Sequence, residues 1–260
     1  MRIVAALGGN ALLERGEAPD AGIQQHHILR AVEALAPLSR AHDLVITHGN
    51  GPQVGLLALE SDADPALTRG YPLDALGAQT QGMIGYWLAQ ALHNAVPTRD
   101  FAALVCQTIV NGDDPAFAKP AKFVGQGYER ARAEQLAHER GWTIGRDGAA
   151  WRRVVPSPRP RQLVELPVIE HLLNSGIGVI CAGGGGIPVC RGGDGLLHGV
   201  EAVVDKDLTA ALLAHDLDAD ALGVTSPLLN TGAALPNYGS LIFADFQISA
   251  LPVSCHIPLL

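Results

Sequence analysis

Three glycine-rich turns constrain this chain more than any other feature of its sequence. They are Gly8-Gly9-Asn10, His48-Gly49-Asn50-Gly51 and Gly183-Gly184-Gly185-Gly186, and the first and last directly follow short apolar runs. Because glycine has no Cβ, backbone N–H groups in such turns can approach an oxyanion closely and form a concave cluster of donors. A tight β-α connection explains any one turn, but three together predict one anion site. Phosphate chemistry is the leading hypothesis.

Short apolar runs rich in Val and Ile predict strands that are buried on both faces of a parallel sheet. The runs are residues 3–7, 44–47, 104–110 and 178–182. Segments with helical periodicity lie between or after them, at about residues 24–39, 163–173 and 205–215. The order of these elements predicts an α/β fold, whose ligands bind at the carboxyl edge of the sheet.

Residues 113–160 interrupt this alternation and are richer in charge. The segment holds Lys119, Lys122, a helical stretch near residues 129–140 and two tryptophans, Trp142 and Trp151. It ends in the sequence VPSPRP at residues 155–160, which favours a stiff, extended chain. Because two tryptophans imply a small core, we expect an inserted flap or subdomain.

Overall charge and segment composition exclude several classes of partner. The 260 residues include 18 Lys and Arg against 26 Asp and Glu, a formal charge of −8, which leaves no overall basic surface for nucleic acid. The apolar start of the chain is too short for a signal-peptide core, and the longer uncharged stretches are broken by Gly, Asn, Ser and Pro. We therefore expect a cytoplasmic protein with no membrane segment.

The metal-binding and redox residues give weaker signals. Four cysteines, Cys106, Cys181, Cys190 and Cys255, lie far apart without CxxC spacing, which favours reduced thiols over disulfides. No HxxxH or Cys/His ligand set is present, so we predict no structural metal.

Two lysines are candidates for contact with an anion. Asp205-Lys206-Asp207 opens a predicted helix, in which Asp205 can cap and Asp207 suits the positive end of the dipole. A cation such as Lys206 is unfavourable at that end unless an anion lies opposite. Lys122 is by default a solvated surface charge, but on a flap it could close over a transferring phosphoryl group.

Three polar residues of the turns each allow two interpretations. Asn10 and Asn50 can donate hydrogen bonds to phosphoryl oxygens, although turn chemistry alone also explains Asn beside Gly. His48 invites a catalytic role, but structural support of the turn that follows it is the favoured interpretation. The residues alone do not separate these alternatives.

Several blocks in order give the chain a specific resemblance to a known family. They are LGGNAL at residues 7–12, THGNGPQVG at 47–55, DPAF at 114–117 with Lys122, WRRVVPSP at 151–158, AGGGGIPV at 182–189 and GVEAVVDKDL at 199–208. Over about residues 1–220 the chain resembles the carbamate kinases of the amino-acid-kinase fold family. The resemblance implies a three-layer αβα sandwich with a mainly parallel central sheet and a small protruding subdomain at about residues 113–160, within a single domain over residues 1–260.

The resemblance also implies an activity and a set of site residues. The reaction is reversible phosphoryl transfer between ATP and carbamate, giving carbamoyl phosphate and ADP, by a cytoplasmic homodimer that uses Mg²⁺. Lys122 and Lys206 would neutralise developing charge, and Asp207 would orient the lysines. The residues implied to hold the substrates and the phosphoryl group are Gly8, Gly9, Asn10, Gly49, Asn50, Gly51, Gly184 and Gly185.

The tail from about residue 222 to 260 departs from the family pattern. It lacks the expected nucleotide-holding tyrosine and the later lysine loop, and we expect a shifted reading frame followed by an early stop, which makes the C-terminal part truncated or altered. Two alternatives stay open: a catalytically impaired homologue that binds ligand or dimerises without turnover, and another amino-acid kinase acting on a carboxylate.

Overall fold

The computed structural model of the protein describes residues 1–14, 16–224 and 241–242. The helices in these residues are α1 (Ala21–Ala41), α2 (Gly51–Ala63), α3 (Leu73–Ala95), α4 (Arg130–Arg140), α5 (Leu166–Asn174) and α6 (Lys206–Asp216). The strands are β1 (Arg2–Leu7), β2 (Asp43–His48), β3 (Phe101–Ala103), β4 (Gln107–Val110), β5 (Lys122–Tyr128), β6 (Thr143–Asp147), β7 (Ala150–Val155), β8 (Pro160–Leu163), β9 (Gly178–Ile180), β10 (Ile187–Arg191), β11 (Leu197–Gly199), β12 (Ala221–Val224) and β13 (Leu241–Ile242).

A six-stranded sheet forms the centre of the molecule, in the order β13-β12-β1-β2-β9-β3. Every pairing in it is parallel. The parallel strands predicted at residues 3–7, 44–47 and 178–182 are confirmed as β1, β2 and β9, side by side. The expected α/β class with a parallel central sheet is therefore correct.

Helices cover both faces of this sheet. Alternate residues of β1 point to opposite faces and pack against different helices. Ile3, Ala5 and Leu7 belong to an apolar cluster that includes residues of α1 and α3. Val4 and Ala6 belong to a second cluster, formed with residues of α5 and α6. The result is the three-layer αβα sandwich that the resemblance implied.

The apolar run at residues 104–110 does not form one strand. Its beginning follows β3 in the six-stranded sheet, where the Leu104 amide donates to the carbonyl of Ile180 at 2.8 Å. Its end is β4, which belongs to a four-stranded sheet with the order β11-β10-β4-β8. Between them, the Gln81 side chain bonds both the amide (2.8 Å) and the carbonyl (3.1 Å) of Cys106. The Cys106 carbonyl also accepts from the Ile187 amide at 2.8 Å, so the chain passes here from the first sheet to the second, and the prediction of a single strand is wrong.

Three helices depart from the expectation, because α5 is shorter than predicted and neither α2 nor α3 was predicted. The predicted helix at residues 163–173 begins only at Leu166, because Leu163 ends β8. Helix α3, with buried Ile84, Leu88 and Leu92 against the sheet, was not predicted at all. Helices α1 and α6 lie where the periodicity placed them.

Residues 122–155 form a small lobe with its own antiparallel sheet, in the order β5-β7-β6, and helix α4. Ala133 and Leu136 of α4 are buried. Trp142 and Trp151 are partly buried, and arginine side chains cover their rings, with Arg140 5.4 Å and Arg130 5.5 Å from the ring centroids. We refer to residues 122–155 as the lobe.

The described part of the chain contains no helix that is both long and apolar enough to cross a membrane. Cys106, Cys181 and Cys190 carry free thiols, and the first two are buried. Cys255, and most of the tail from residue 222 on which the reading-frame expectation rests, lie outside the described residues.

Candidate functional site

The first two glycine turns meet at the carboxyl edge of the central sheet. They follow β1 and β2, which are neighbours, and the Gly49 amide donates to the Leu7 carbonyl at 2.9 Å. A methyl group added to Gly49 would lie 2.9 Å from the amide nitrogen of Gly9. The two turns are therefore in backbone contact.

The third turn follows β9, the next strand of the sheet, and contacts the second turn. Gly184 has a φ of +65°, which favours glycine, and a methyl group there would overlap the Asn50 side-chain amide. That amide donates to the hydroxyl of Thr80 at 2.9 Å. The convergence of three turns at one edge, expected from the sequence, is what the structure shows.

Gly185 lies behind the turn. Its carbonyl accepts hydrogen bonds from the hydroxyls of Thr108 (2.8 Å) and Thr209 (3.0 Å). Both threonines are fully buried. Gly185 therefore anchors the turn to β4 and α6, and it does not line the cleft described next.

A cleft with about 570 Å³ of open space lies between the three turns and the lobe. Residues of both regions line it: Gly9, Gly49, Asn50, Gly51, Pro52, Val54, Lys122, Phe123, Val124, Gly184, Val203, Val204 and Lys206. The structure thus brings together both lysines and five of the eight predicted turn residues. Gly8 and Gly185 are not among the lining residues, and the side chain of Asn10 lies outside the described part.

Two helices begin at this cleft. Asn50 is the N-cap of α2, and Asp205 is the N-cap of α6, where its carboxylate accepts hydrogen bonds from the amides of Asp207 and Leu208. The N-terminal end of a helix carries a partial positive charge and attracts anions. Helix ends, glycine turns and lysines therefore all favour a negatively charged ligand.

The lysines are held by two different acids. Lys122 Nζ lies 2.5 Å from Asp205 Oδ2, whereas Lys206 pairs with Asp207. The resemblance implied that Asp207 orients both lysines, and the sequence pattern predicted only a capping role for Asp205. The sequence carried a signal for Asp205 as well, since a carboxylate that caps at a helix start still has one oxygen free to accept from a lysine.

The pKa of Asp205 reflects this position. Burial alone would raise it, but the charge and hydrogen bond of Lys122, together with the backbone amides of Leu208 and Asp207, hold the pKa of the carboxyl below its ordinary value. Asp205 is therefore ionised at neutral pH, and it joins the lobe to the edge of the sheet through Lys122.

His48 is buried beneath the turns. Its Nδ1 lies 2.9 Å from the Gly49 carbonyl, which accepts a hydrogen bond from that nitrogen. Burial lowers the pKa of the imidazole to about 4, the Gly49 hydrogen bond opposes the shift, and the nearby Lys206 charge adds to it. A neutral His48 that supports the turn agrees with the favoured interpretation of the sequence.

The acids near the cleft do not form a cation site of their own. Within residues 1–14, 16–224 and 241–242 no group of three or more His, Cys, Asp or Glu residues could hold a metal ion. Asp205 and Asp207 each already pair with a lysine. A metal would therefore need most of its ligands from a substrate.

Comparison with known proteins gives a consistent result. Residues 1–226 match the Amino acid kinase family. The carbamate kinase of Rhizobium meliloti (strain 1021) is 53% identical over 225 residues, which cover 85% of this chain and 69% of that protein. The carbamate kinase of Haemophilus influenzae is 52% identical over 221 residues, covering 85% of this chain and 71% of that protein.

Solved structures agree with the sequence relatives. Carbamate kinase from Giardia lamblia bound to citric acid superposes with a TM-score of 0.81 at 39% identity, over 86% of this chain and 74% of that one. The same enzyme bound to AMP-PNP gives a TM-score of 0.76 at 38% identity, over 86% and 73% of the two chains.

Proposed function

The chain belongs to the amino acid kinase family, and we propose that it catalyses reversible phosphoryl transfer between ATP and carbamate, giving carbamoyl phosphate and ADP. One observation carries this proposal: the three glycine turns and both lysines line a single cleft, in a chain about half identical to carbamate kinases. These relatives also favour carbamate over the other carboxylates that kinases of this fold could accept.

The glycine turns supply the fixed half of the site. In phosphoryl transfer the protein does little covalent chemistry and acts by positioning the reactants and stabilising charge. We assign Gly9, Gly49, Gly51 and Gly184 to the phosphoryl group and the carbamate, because all four line the cleft. Asn50 lines it as well, with its amide fixed by Thr80. We assign Gly8 and Gly185 to support of these turns, and Asn10 keeps the phosphoryl-binding role that the resemblance implies.

The lysines supply positive charge from two different regions. Lys206 extends from the edge of the sheet and Lys122 from the lobe, so a phosphoryl group in the cleft has two cations near it as negative charge spreads over its oxygens. Asp207 and Asp205 hold the two ammonium groups in place before the substrate binds. Preorganised charges of this kind need no rearrangement during the transfer.

ATP and ADP are the nucleotides of the reaction, and we propose that Mg²⁺ enters with them as the metal–nucleotide complex. Mg²⁺ at kinase sites is bound largely by phosphate oxygens and water. Because both acids nearest the cleft are paired with lysines, the nucleotide phosphates are the better ligands.

The test is ATP formation from ADP and carbamoyl phosphate in the presence of Mg²⁺. We expect the full chain to form ATP and Lys206→Ala to lose about a thousandfold in kcat, roughly 4 kcal/mol of barrier. Lys119→Ala is the matched control, since Lys119 is exposed and does not line the cleft. A folded chain that forms no ATP, or equal activity in all three proteins, would contradict the proposal.

Three further properties are proposed on the resemblance to carbamate kinases. The chain works as a homodimer, it is located in the cytoplasm, and residues 113–160 act as an inserted subdomain of one amino-acid-kinase-like domain. Light scattering of the purified chain measures its mass in solution, and a monomer at assay concentration would contradict the dimer.

A further inference from the structure

Gly55, the last residue of the block THGNGPQVG, has no place in the site described above. It lies buried in α2, directly after Val54, which lines the cleft, but is not itself a lining residue. Its neighbour across the interface is Gly125 of β5, in the lobe. A methyl group on Gly55 would overlap the Cα of Gly125 and lie 2.5 Å from its amide nitrogen.

The contact requires glycine on both sides. Gly125 has a φ of +71°, a conformation that residues with side chains rarely adopt. A methyl group on Gly125 would lie 3.4 Å from the Cα of Gly55, an ordinary contact distance, so at this position the backbone conformation and not the available space favours glycine. Backbone therefore packs directly on backbone, which leaves helix and strand little freedom to shift relative to each other.

Several contacts connect this point to Lys122. Lys122 begins the same strand, three residues before Gly125. The pairing of β5 with β7 shifts register after Val124, so β5 changes direction where it meets Gly55. Arg152 of β7 donates to the Gly125 carbonyl at 2.7 Å, and Val124 packs with Val54 in one apolar cluster. The Gly125 segment is thus fixed from both sides.

We propose that the Gly55–Gly125 contact positions Lys122. It fixes the distance between β5 and α2 and so holds the Lys122 ammonium at the cleft. This inference rests on the proposed function, in which Lys122 stabilises the transferring phosphoryl group. Gly55 is a positioning residue, because it acts through Lys122 and does not line the cleft.

Gly55→Ala tests the inference, with Gly82→Ala as its matched control. Both glycines lie inside helices, but an added methyl group at Gly82 meets nothing within 4 Å. Helix propensity alone makes alanine better than glycine by about 1 kcal/mol at either position. We expect Gly55→Ala to lower kcat at least tenfold with the KM for ADP changed less than threefold, and Gly82→Ala to retain full activity.

A double-mutant cycle separates positioning from general damage. In a Lys122→Ala background Gly55→Ala should cost less than twofold more in kcat, because the group it positions is gone. In a Lys206→Ala background the tenfold loss should persist. Equal losses in the two backgrounds, or no loss in Gly55→Ala alone, would overturn the inference.

Hydrogen exchange provides a readout that does not depend on activity. Amides of β5 should exchange faster in Gly55→Ala than in the parent, and Gly82→Ala should leave them unchanged. Unchanged β5 exchange in Gly55→Ala would overturn the inference even if the chain forms no ATP. Full activity of Lys122→Ala would refute the role of Lys122 and with it the positioning of that residue, whereas the kinase assignment would stand.

Discussion

The two lysines of the cleft are carried by regions of very different construction. Lys206 begins α6, whose Ala210 and Leu213 are fully buried against the central sheet. Lys122 begins a strand of the lobe, where most side chains are partly exposed and charged groups cover the tryptophan rings. The side chain of Lys206 is 12% exposed, against 39% for Lys122. Lys206 is therefore held rigidly, whereas the position of Lys122 depends on how the small lobe packs against the rest of the molecule.

The largest expected effect compares the two lysines directly. Lys122→Ala should lower kcat for ATP formation about a hundredfold, some tenfold less than Lys206→Ala, because water can partly replace the more exposed ammonium. Steady-state kinetics of both variants under identical conditions measure the ratio. A larger loss at Lys122 would reverse the comparison and make the lobe the main source of catalytic charge.

A buried leucine in each region tests their relative stability. Leu88 in α3 and Leu136 in α4 are almost completely buried. Leu88→Ala should lower the free energy of unfolding by about 3 kcal/mol, since it leaves a cavity in the main core. Leu136→Ala should lower the free energy of global unfolding by less than half of that amount, because the lobe can unfold locally before the rest of the molecule. Denaturant unfolding gives both values, and equal losses would mean that the lobe and the sheet unfold as one unit.

The third prediction concerns the pH dependence of stability, which depends on the buried His48 at the edge of the sheet. Because His48 has a pKa of about 4 in the folded protein and about 6.5 when unfolded, the unfolded chain binds a proton between these values that the folded chain does not. The free energy of unfolding should therefore fall by roughly 3 kcal/mol as pH drops from 6.5 to 4. His48→Gln should flatten this part of the stability profile, and an unchanged slope would show that His48 is not responsible.

The smallest expected effect concerns the surface of the lobe. Glu134 accepts from Arg130 at 2.8 Å, and both side chains are more than half exposed. Glu134→Ala should change the free energy of unfolding by less than about 0.5 kcal/mol, since water screens such pairs. A loss above 1 kcal/mol in denaturant titration would mean that ion pairs, and not apolar packing, hold the lobe together.

The elements that the sequence predicts well are those determined by patterns of neighbouring residues. The strands β1 and β2 and the helix α6 follow from short patterns of apolar residues and a capping aspartate, and the meeting of their turns follows from the rule for parallel sheets. Helix α3 was equally readable, because Ile84, Leu88 and Leu92 recur at intervals of four residues.

The remaining features depend on residues far apart in the chain. At the break the Cys106 amide bonds to Gln81 and its carbonyl accepts from the Ile187 amide, and no pattern within residues 104–110 reports either partner. The pairing of Lys122 with Asp205 joins positions 83 residues apart. Gly55 and Gly125 are likewise ordinary glycines until the fold brings them into contact. Such features require the tertiary structure.

Residues 111–159, which include the lobe, leave and rejoin the rest of the chain at adjacent positions. Strands β4 and β8 are antiparallel neighbours, and Val110 pairs with Pro160 across them. The segment between these two residues is an insertion whose ends lie side by side. The entropy cost of closing such a loop on folding grows only slowly with its length. A short turn in place of residues 111–159 would leave β4 paired with β10, but it would also uncover Val54, Leu73 and Leu76, which pack against Val124 and Val155 of the lobe. A minimal scaffold that holds half of the site would therefore need polar replacements at these three positions.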